Sequence, residues 1–267
     1  MNEKMITDKI KEELLYDFKN HVRNGIMALI SKNMAYNSNR IEGSSLTADQ
    51  TATLFDTGTI VSNGVEVYKA KDIEEMNGHF KMFNEMLKTL DEPFTIDLIK
   101  RYHYQLKSGV FEDAANGYAV GEFKKRQNIV GMNSTAAPED VPALMNGLIH
   151  EYLKSEKTLE DIAMFHIKYE TIHPFQDGNG RTGRMIIMKQ CIDNGIIPVL
   201  ILDEKRALYF HALQNARNEK YDELFKFFNE CQKDFINLIS PMLDKEYVEA
   251  FDNINKEKQV VHHNKCR

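Results

Sequence analysis

The apolar positions Ile6, Ile10, Leu14, Phe18, Val22 and Ile26 fall four residues apart, which lays a single stripe along one face of a helix. The pattern predicts one amphipathic helix over 5–30, weakened near Gly25, with helical continuation over 31–42 until Gly43, a favoured residue just past a helix end. Thr47 is placed to cap a short helix ending near Gly58, and the Thr, Ser, Asn and Gly of 58–69 read as a connector. From 69 to 90, Ile73, Met76, Phe80, Phe83, Leu87 and Leu90 step by three and four, so a long helix is expected there. Pro93 and Thr95 open another that runs to about Lys107. The segment 109–137 breaks the pattern: it holds four glycines, has no helical period, and leans toward β structure around Phe123 to Val130. A loop with a small hairpin is the expectation. Helices follow at about 139–154, 159–171, 180–194, 204–218 and 221–240, with Gly195 and Pro198 punctuating the gap after the third of these. The stretch 243–267 begins helically (Tyr247, Phe251, Ile254) and decays into a polar tail. The fold class is therefore mainly α, a helical bundle with one small β-hairpin. It divides into N-terminal helices (1–60), a central core (61–240) and a C-terminal helix with a tail (241–267).

Composition narrows the class of partner. A chain of 267 residues is long enough for one good core with an appended helical piece. Its net charge of −6 comes with scattered lysines and arginines, and without a basic face a nucleic-acid partner is not expected. Cys191, Cys231 and Cys266 are odd in number and widely spaced, so reduced thiols in a cytoplasmic protein are expected. The charged N-terminus does not read as a signal peptide. No apolar run reaches membrane-spanning length.

The chemistry concentrates in His173 to Arg184, HPFQDGNGRTGR. Pro174 disfavours helical backbone at the residue before it, so His173 sits at a helix end, and a neutral imidazole there can act as a general base. Asp177 is a hard oxygen donor of the kind Mg²⁺ takes one or two of, completing its shell with phosphates and water; alone it would read as a helix cap. Gly178-Asn179-Gly180 directly before a helix can aim consecutive N–H groups at an anion. Arg181 and Arg184 share one face of the first turn, where positive charge opposes the helix dipole. A phosphate partner would offset that cost.

These twelve residues resemble the signature of the Fic family, HxFx[D/E]GNGRxxR, at every fixed position, and the resemblance extends over roughly residues 30–235. It implies a Fic-type helical fold and a protein adenylyltransferase, an enzyme that moves AMP from ATP onto a hydroxyl of a target protein or of itself, and it leaves room for a homodimer. His173 would take the hydroxyl proton, Phe175 would anchor the loop, Asp177 would hold Mg²⁺, and Gly178, Asn179, Gly180, Arg181 and Arg184 would bind the triphosphate. A second stretch, NSNRIEG, places Ser38 and Glu42 four apart on one helix face before Gly43, similar to the family's inhibitory motif [S/T]xxxE[G/N]. By that resemblance Glu42 pairs with Arg184 and obstructs the γ-phosphate position. The hairpin, with Phe123, Lys124, Ile129 and Val130, falls where relatives keep a flap that aligns the target; many have Arg where this chain has Lys124. His103 and His166 fall on apolar helix faces and read as core groups. Tyr209 and Arg217 lie in a stretch similar to the helix that closes over adenine, although some relatives have Asn where Arg217 stands. The rival readings are hydrolytic removal of AMP, with Glu42 positioning water, and a non-catalytic nucleotide-binding regulator. A DNA-linked regulator would need a winged helix, for which no room is expected after Tyr247.

Overall fold

In the computed structural model, residues 2–61, 67–130 and 133–265 are described, which leaves Cys266, part of the 58–69 connector and the expected hairpin turn outside the described residues. The chain opens with α1 (Glu3–Lys19) and α2 (Ile26–Ile41). The single helix expected over 5–30 is thus two, with a break at 20–25. Asp17 makes the break: its carboxylate accepts the N–H of Met27 at 3.0 Å, and His21 adopts a left-handed φ of 56°. The apolar stripe runs on across the break because Ile6, Ile10, Leu14 and Ile26 all enter the same core.

Thr47 caps α3 (Ala48–Thr57) in a reciprocal box with Gln50, and Gly58 closes it in the left-handed conformation. The pair α4 (Ala70–Lys88) and α5 (Ile96–Lys107), the latter capped by Thr95, packs closely. A short α6 (Phe111–Ala115) follows that the sequence pattern did not indicate. The expected strand over 123–130 is corrected to a two-residue antiparallel pairing of β1 (Ile129–Val130) with β2 (Asn133–Ser134). Residues 121–128 are irregular because their polar groups are engaged elsewhere: Lys124 N–H donates to Pro174 O at 2.8 Å and Asn128 Nδ2 to Phe175 O at 2.8 Å.

Then come α7 (Val141–Lys154), α8 (Leu159–Ile172) and α9 (Asn179–Asp193), and after a 3-10 turn α10 (Arg206–Arg217), α11 (Asp222–Ile239) and α12 (Lys245–Lys265). The helix of α12 continues where a decaying tail was expected. One apolar cluster joins residues from Ile6 to Phe251, and a smaller one lies beneath α3 around Leu46, Leu54, Met76 and Phe80. Helix α9 runs through the centre, touched by α1, α2, α4, α5 and α8 and buried almost continuously from Asn179 to Ile192, as a helix enclosed by others must be. Even its Lys189 is inside, satisfied by Thr89 O and Asp193, each at 2.6 Å. Among the described residues no helix is long and apolar enough to cross a membrane.

The α4–α5 contact depends on Gly78, where an added Cβ would lie 1.9 Å from the Leu106 carbonyl oxygen. Backbone cannot yield as a side chain can, so Gly78→Ala is expected to lower stability by about 3 kcal/mol or more. Gly147→Ala, exposed in α7 with nothing within 4 Å, is expected to raise it by about 0.5–1 kcal/mol through helix propensity alone. Urea unfolding midpoints of the two variants, moving in opposite directions, check both.

Candidate active site

Helix α8 ends at His173, whose N–H donates to Tyr169 O at 2.8 Å and whose φ of 53° is left-handed. The imidazole lies within electrostatic reach of Lys124, Glu42, Asp177 and Arg217. The ring is largely buried. Burial, then the nearby Lys124 ammonium, push its pKa down to about 4 against the opposing charges of Glu42 and Asp177, so it is neutral at physiological pH. Phe175 is fully buried and stacked on His103, centroids 3.9 Å apart. Gly121 N–H donates to His103 Nδ1 at 2.9 Å, which leaves Nε2–H to donate to Asp177 O at 2.9 Å. His103 is therefore buried, as its apolar helix face suggested, and it also ties down the loop at Asp177. Lys124 Nζ donates to Thr135 Oγ1 at 2.7 Å, Asn128 Oδ1 at 2.8 Å and Ile172 O at 3.3 Å. With only neutral partners, burial pushes it down to about 8.

The side chain of Asn179 spans the loop: Oδ1 accepts from Phe175 N and Nδ2 donates to Phe175 O, each at 2.8 Å. Both ends of its amide group are thus tied to the loop, and what it offers an anion is chiefly its main-chain N–H, one of the first amides of α9, which have no acceptor within the helix. Gly178 has a left-handed φ of 78°. Gly180 leaves room for Glu42: a Cβ there would lie 2.2 Å from Glu42 Oε1 and 3.0 Å from Arg184 Nη1.

Both arginines are buried and already answered by charge. Arg181 Nη1 meets Glu75 Oε2 at 2.5 Å and Asn39 Oδ1 at 3.2 Å. Arg184 Nη2 meets Glu42 Oε1 at 2.7 Å and Ser38 O at 3.0 Å, while its Nε donates to Ser38 Oγ at 2.8 Å. Ser38 and Glu42 therefore grip one guanidinium from a single face of α2, and Gly43, with φ 93°, turns the chain away.

Asp177 Oδ1 accepts from Gly178 N at 2.7 Å, and Oδ2 lies 2.8 Å from Lys107 Nζ. Burial opposes its ionisation, yet Arg181 and Lys107 hold the carboxyl well below the usual range. Lys107 is 1 % exposed and also reaches Glu75 at 2.5 Å and Asp113 at 2.8 Å. Lys107, Glu75, Asn39 and the buried Glu170 of α8 are site residues that the sequence reading missed. In the sequence Lys107 is a basic residue in a helix's last turn, ordinarily a solvated one.

The residues expected for an adenine pocket and a flap are placed as follows. Tyr209 is fully buried with its hydroxyl 2.6 Å from His166 Nε2 and its ring beneath Arg184; it supports the arginine and has no face to offer an adenine. Of the expected flap, Ile129 is exposed, Val130 is described only in its backbone within β1, and Phe123 packs on Phe175 at 5.9 Å. Arg217 is half-buried at the end of α10, its charge felt at His173 and Glu170. A cleft of about 810 Å³ lined by Glu42, Gly43, Ser44, Lys71 and Glu75 adjoins the arginines. Another of about 810 Å³ lies between α8 and α11, but its lining includes neither Glu75 nor Glu42, the partners of Arg181 and Arg184; size alone does not select the site.

A histidine thus closes one helix of a mainly α-helical fold, and the short turn after it opens the central buried helix. The chain belongs to the Fic/DOC family, whose profile matches residues 93–191. It is 31% identical over 207 residues to a Drosophila willistoni relative named protein adenylyltransferase Fic, covering 76% of this chain and 40% of the relative. A relative of the same name from Aedes aegypti is 29% identical over 208 residues, with 76% and 40% covered. The chain thus spans about 40% of the length of these curated relatives. A Fic-domain-containing signalling protein from Bacteroides thetaiotaomicron shares the fold with TM-score 0.69 at 23% identity, over 85% of this chain and 95% of that one. Fic-1 from C. elegans does so with TM-score 0.65 at 20% identity, over 92% and 71%.

Lys107→Met would leave three carboxylates facing a site stripped of its central cation, and is expected to lower stability at neutral pH by about 3–5 kcal/mol. Glu75 and Asp177 have pKa values lowered in the folded state, so their contribution is present above the ordinary carboxylate range and lost as the pH falls through it. The gap between wild type and variant should therefore narrow below about pH 4, as measured by thermal unfolding across pH.

Proposed function

We propose that this protein is an adenylyltransferase that moves AMP from ATP to a hydroxyl of a target protein, and that Glu42 holds it in check. The observation that carries the reading is the convergence, within residues 173–184, of a neutral imidazole, an ionised carboxylate, the first amides of α9 and two buried guanidinium groups. A triphosphate supplies the negative charge those groups select. The names of the curated relatives support the same activity.

In this reading the main-chain amides of 178–180 and the side chains of Arg181 and Arg184 orient the phosphates. His173 removes the hydroxyl proton as the target oxygen attacks the α-phosphorus and pyrophosphate leaves. Among the described residues no group of three or more His, Cys, Asp or Glu could hold a metal by itself. An ionised, partly exposed Asp177 fits the single protein ligand that Mg²⁺ takes when phosphates and water complete its shell. Bound there, Mg²⁺ supplies neutralisation of phosphate charge. Ile129 and Val130, on a short pair of strands, offer an edge along which a target's main chain could lie.

Glu42 competes for Arg184 with any anion, and Gly180 lets it approach the amides as well. A bias of about 1.4 to 2.7 kcal/mol suffices to hold activity ten- to a hundredfold down. Transfer of label from ATP labelled at its α-phosphate is expected to rise about 10- to 100-fold in Glu42→Gly and to fall by about 10²–10⁴ from that level when His173→Ala is added. Unchanged transfer in Glu42→Gly would remove the inhibitory role. Release of AMP from a modified protein, without transfer from ATP, would replace the reading by hydrolysis.

A further inference from the structure

Glu170 has no place in that scheme, yet the fold buries it one turn before the base. Its carboxylate lies among Tyr169 of α8, Arg184 of α9, Tyr209 and Arg217 of α10 and Glu42 at the end of α2. It makes no ion pair with either arginine within 4.0 Å, and its Oε1 is buried without a hydrogen-bond partner. Its other oxygen, Oε2, is 3.9 Å from His173 Nδ1, which is also buried and without a hydrogen-bond partner. Unsatisfied buried polar atoms are uncommon in native proteins; here two occur on adjacent side chains. Gly183 contributes the space, since a Cβ there would lie 3.0 Å from Glu170 Oε1.

We propose that Glu170 is a positioning residue for His173, accepting the Nδ1–H of its imidazole so that Nε2 faces the target hydroxyl. This rests on the reading of His173 as the base. A side-chain adjustment closes 3.9 Å to a hydrogen bond, and such bonds are often long before substrate binds. The step then balances: the hydroxyl proton passes to Nε2, the target oxygen bonds to the α-phosphorus, and the bond to the bridging oxygen breaks as pyrophosphate leaves with its electron pair. The imidazolium formed, protonated at both nitrogens, is stabilised by the carboxylate at Nδ1, as an acidic partner does for a catalytic histidine elsewhere. Burial pushes Glu170 up to about 7, against the attraction of Arg184 and Arg217 and with the repulsion of Glu42. The carboxylate therefore gains its proton as the pH falls through neutrality, and with it loses the negative charge that stabilises the imidazolium.

The test uses the full chain carrying Glu42→Gly, alone and combined with Glu170→Gln or His173→Ala, with ATP labelled at the α-phosphate between about pH 5 and 9. Glu170→Gln is expected to lower kcat about 10- to 100-fold with KM for ATP unchanged, and to abolish the fall in rate below about pH 7 expected of its parent. Retention of both kcat and that acid limb would overturn the proposal. If His173→Ala abolishes transfer while Glu170→Gln does not, only the positioning role fails; if His173→Ala leaves transfer intact, the base reading fails first. Nitrogen NMR of histidine-labelled protein without any substitution at Glu170, the His173 signal being assigned by its loss in His173→Ala, covers the case of a variant that does not fold. A proton on Nδ1 at neutral pH is expected, and one on Nε2 alone would refute the proposal.

Discussion

Two arginines in the first turn of a buried helix must be answered by charge. Arg181 and Arg184 stand where the dipole of α9 already disfavours a cation, and both are almost fully buried, where an uncompensated charge costs several kcal/mol. Glu75 answers the first and Glu42 the second, so α4 and α2 have to dock against α9 for the fold to close. The two answers are not equivalent. Glu75 is buried and also tied to Lys107, which makes it a permanent counter-charge. Glu42 sits at the end of α2 with its side chain 35 % exposed, joined to Arg184 through one oxygen. An anion with better geometry can take its place without uncovering a second buried charge. The helix that needs these arginines neutralised thus has one fixed neutraliser and one replaceable one.

The replaceable one comes from the N-terminal helices, which makes them part of the site's electrostatics as well as of the core. Ser38 contributes both its hydroxyl and its carbonyl to Arg184, and Asn39 reaches Arg181 while its amide donates to Ala35 O at 2.8 Å. Were an anion to displace Glu42, those neutral contacts would keep the guanidinium groups oriented. Neutral acceptors hold a cation in place without cancelling its charge, which is the condition a phosphate-binding arginine has to meet.

Most of the helices were legible because amphipathic periodicity records burial directly, and the caps at Thr47 and Thr95 and the stop at Gly58 are local chemistry. The break between α1 and α2 was not, because the stripe from Ile6 to Ile26 keeps step across it; a single carboxylate, Asp17, folds the chain back without disturbing the period. The segment 121–128 misled for a different reason. Its composition suits a strand, but its hydrogen-bond partners are the carbonyls of Pro174 and Phe175, a long-range choice that no local pattern records. The site divides in the same way. Residues 173–184 are contiguous and could be read together, as could Ser38 and Glu42 on one turn. Lys107, Glu75 and Glu170 lie on three helices and resemble the charges of any solvated face until the fold brings them to one place. Tyr209 shows the converse: proximity to the site was readable, but the direction of its ring was not.

His173 carries the remaining constraint. A base in a water-poor loop is weakened by the desolvation that shelters its chemistry, and at this position burial and the Lys124 ammonium both act that way, down to a pKa of about 4. Negative charge acts in the opposite sense: Glu42 and Asp177 already raise the imidazole's affinity for a proton. Any anion bound at the start of α9 adds to that effect, and displacement of Glu42 by a more highly charged group would strengthen the base further. Lys124, held by neutral acceptors alone, keeps its charge directed at the same ring and limits the rise. Under the proposed function, the imidazole would be weaker while Glu42 answers Arg184 and stronger as phosphate charge accumulates beside it, which would couple proton removal to substrate binding through the field of the loop.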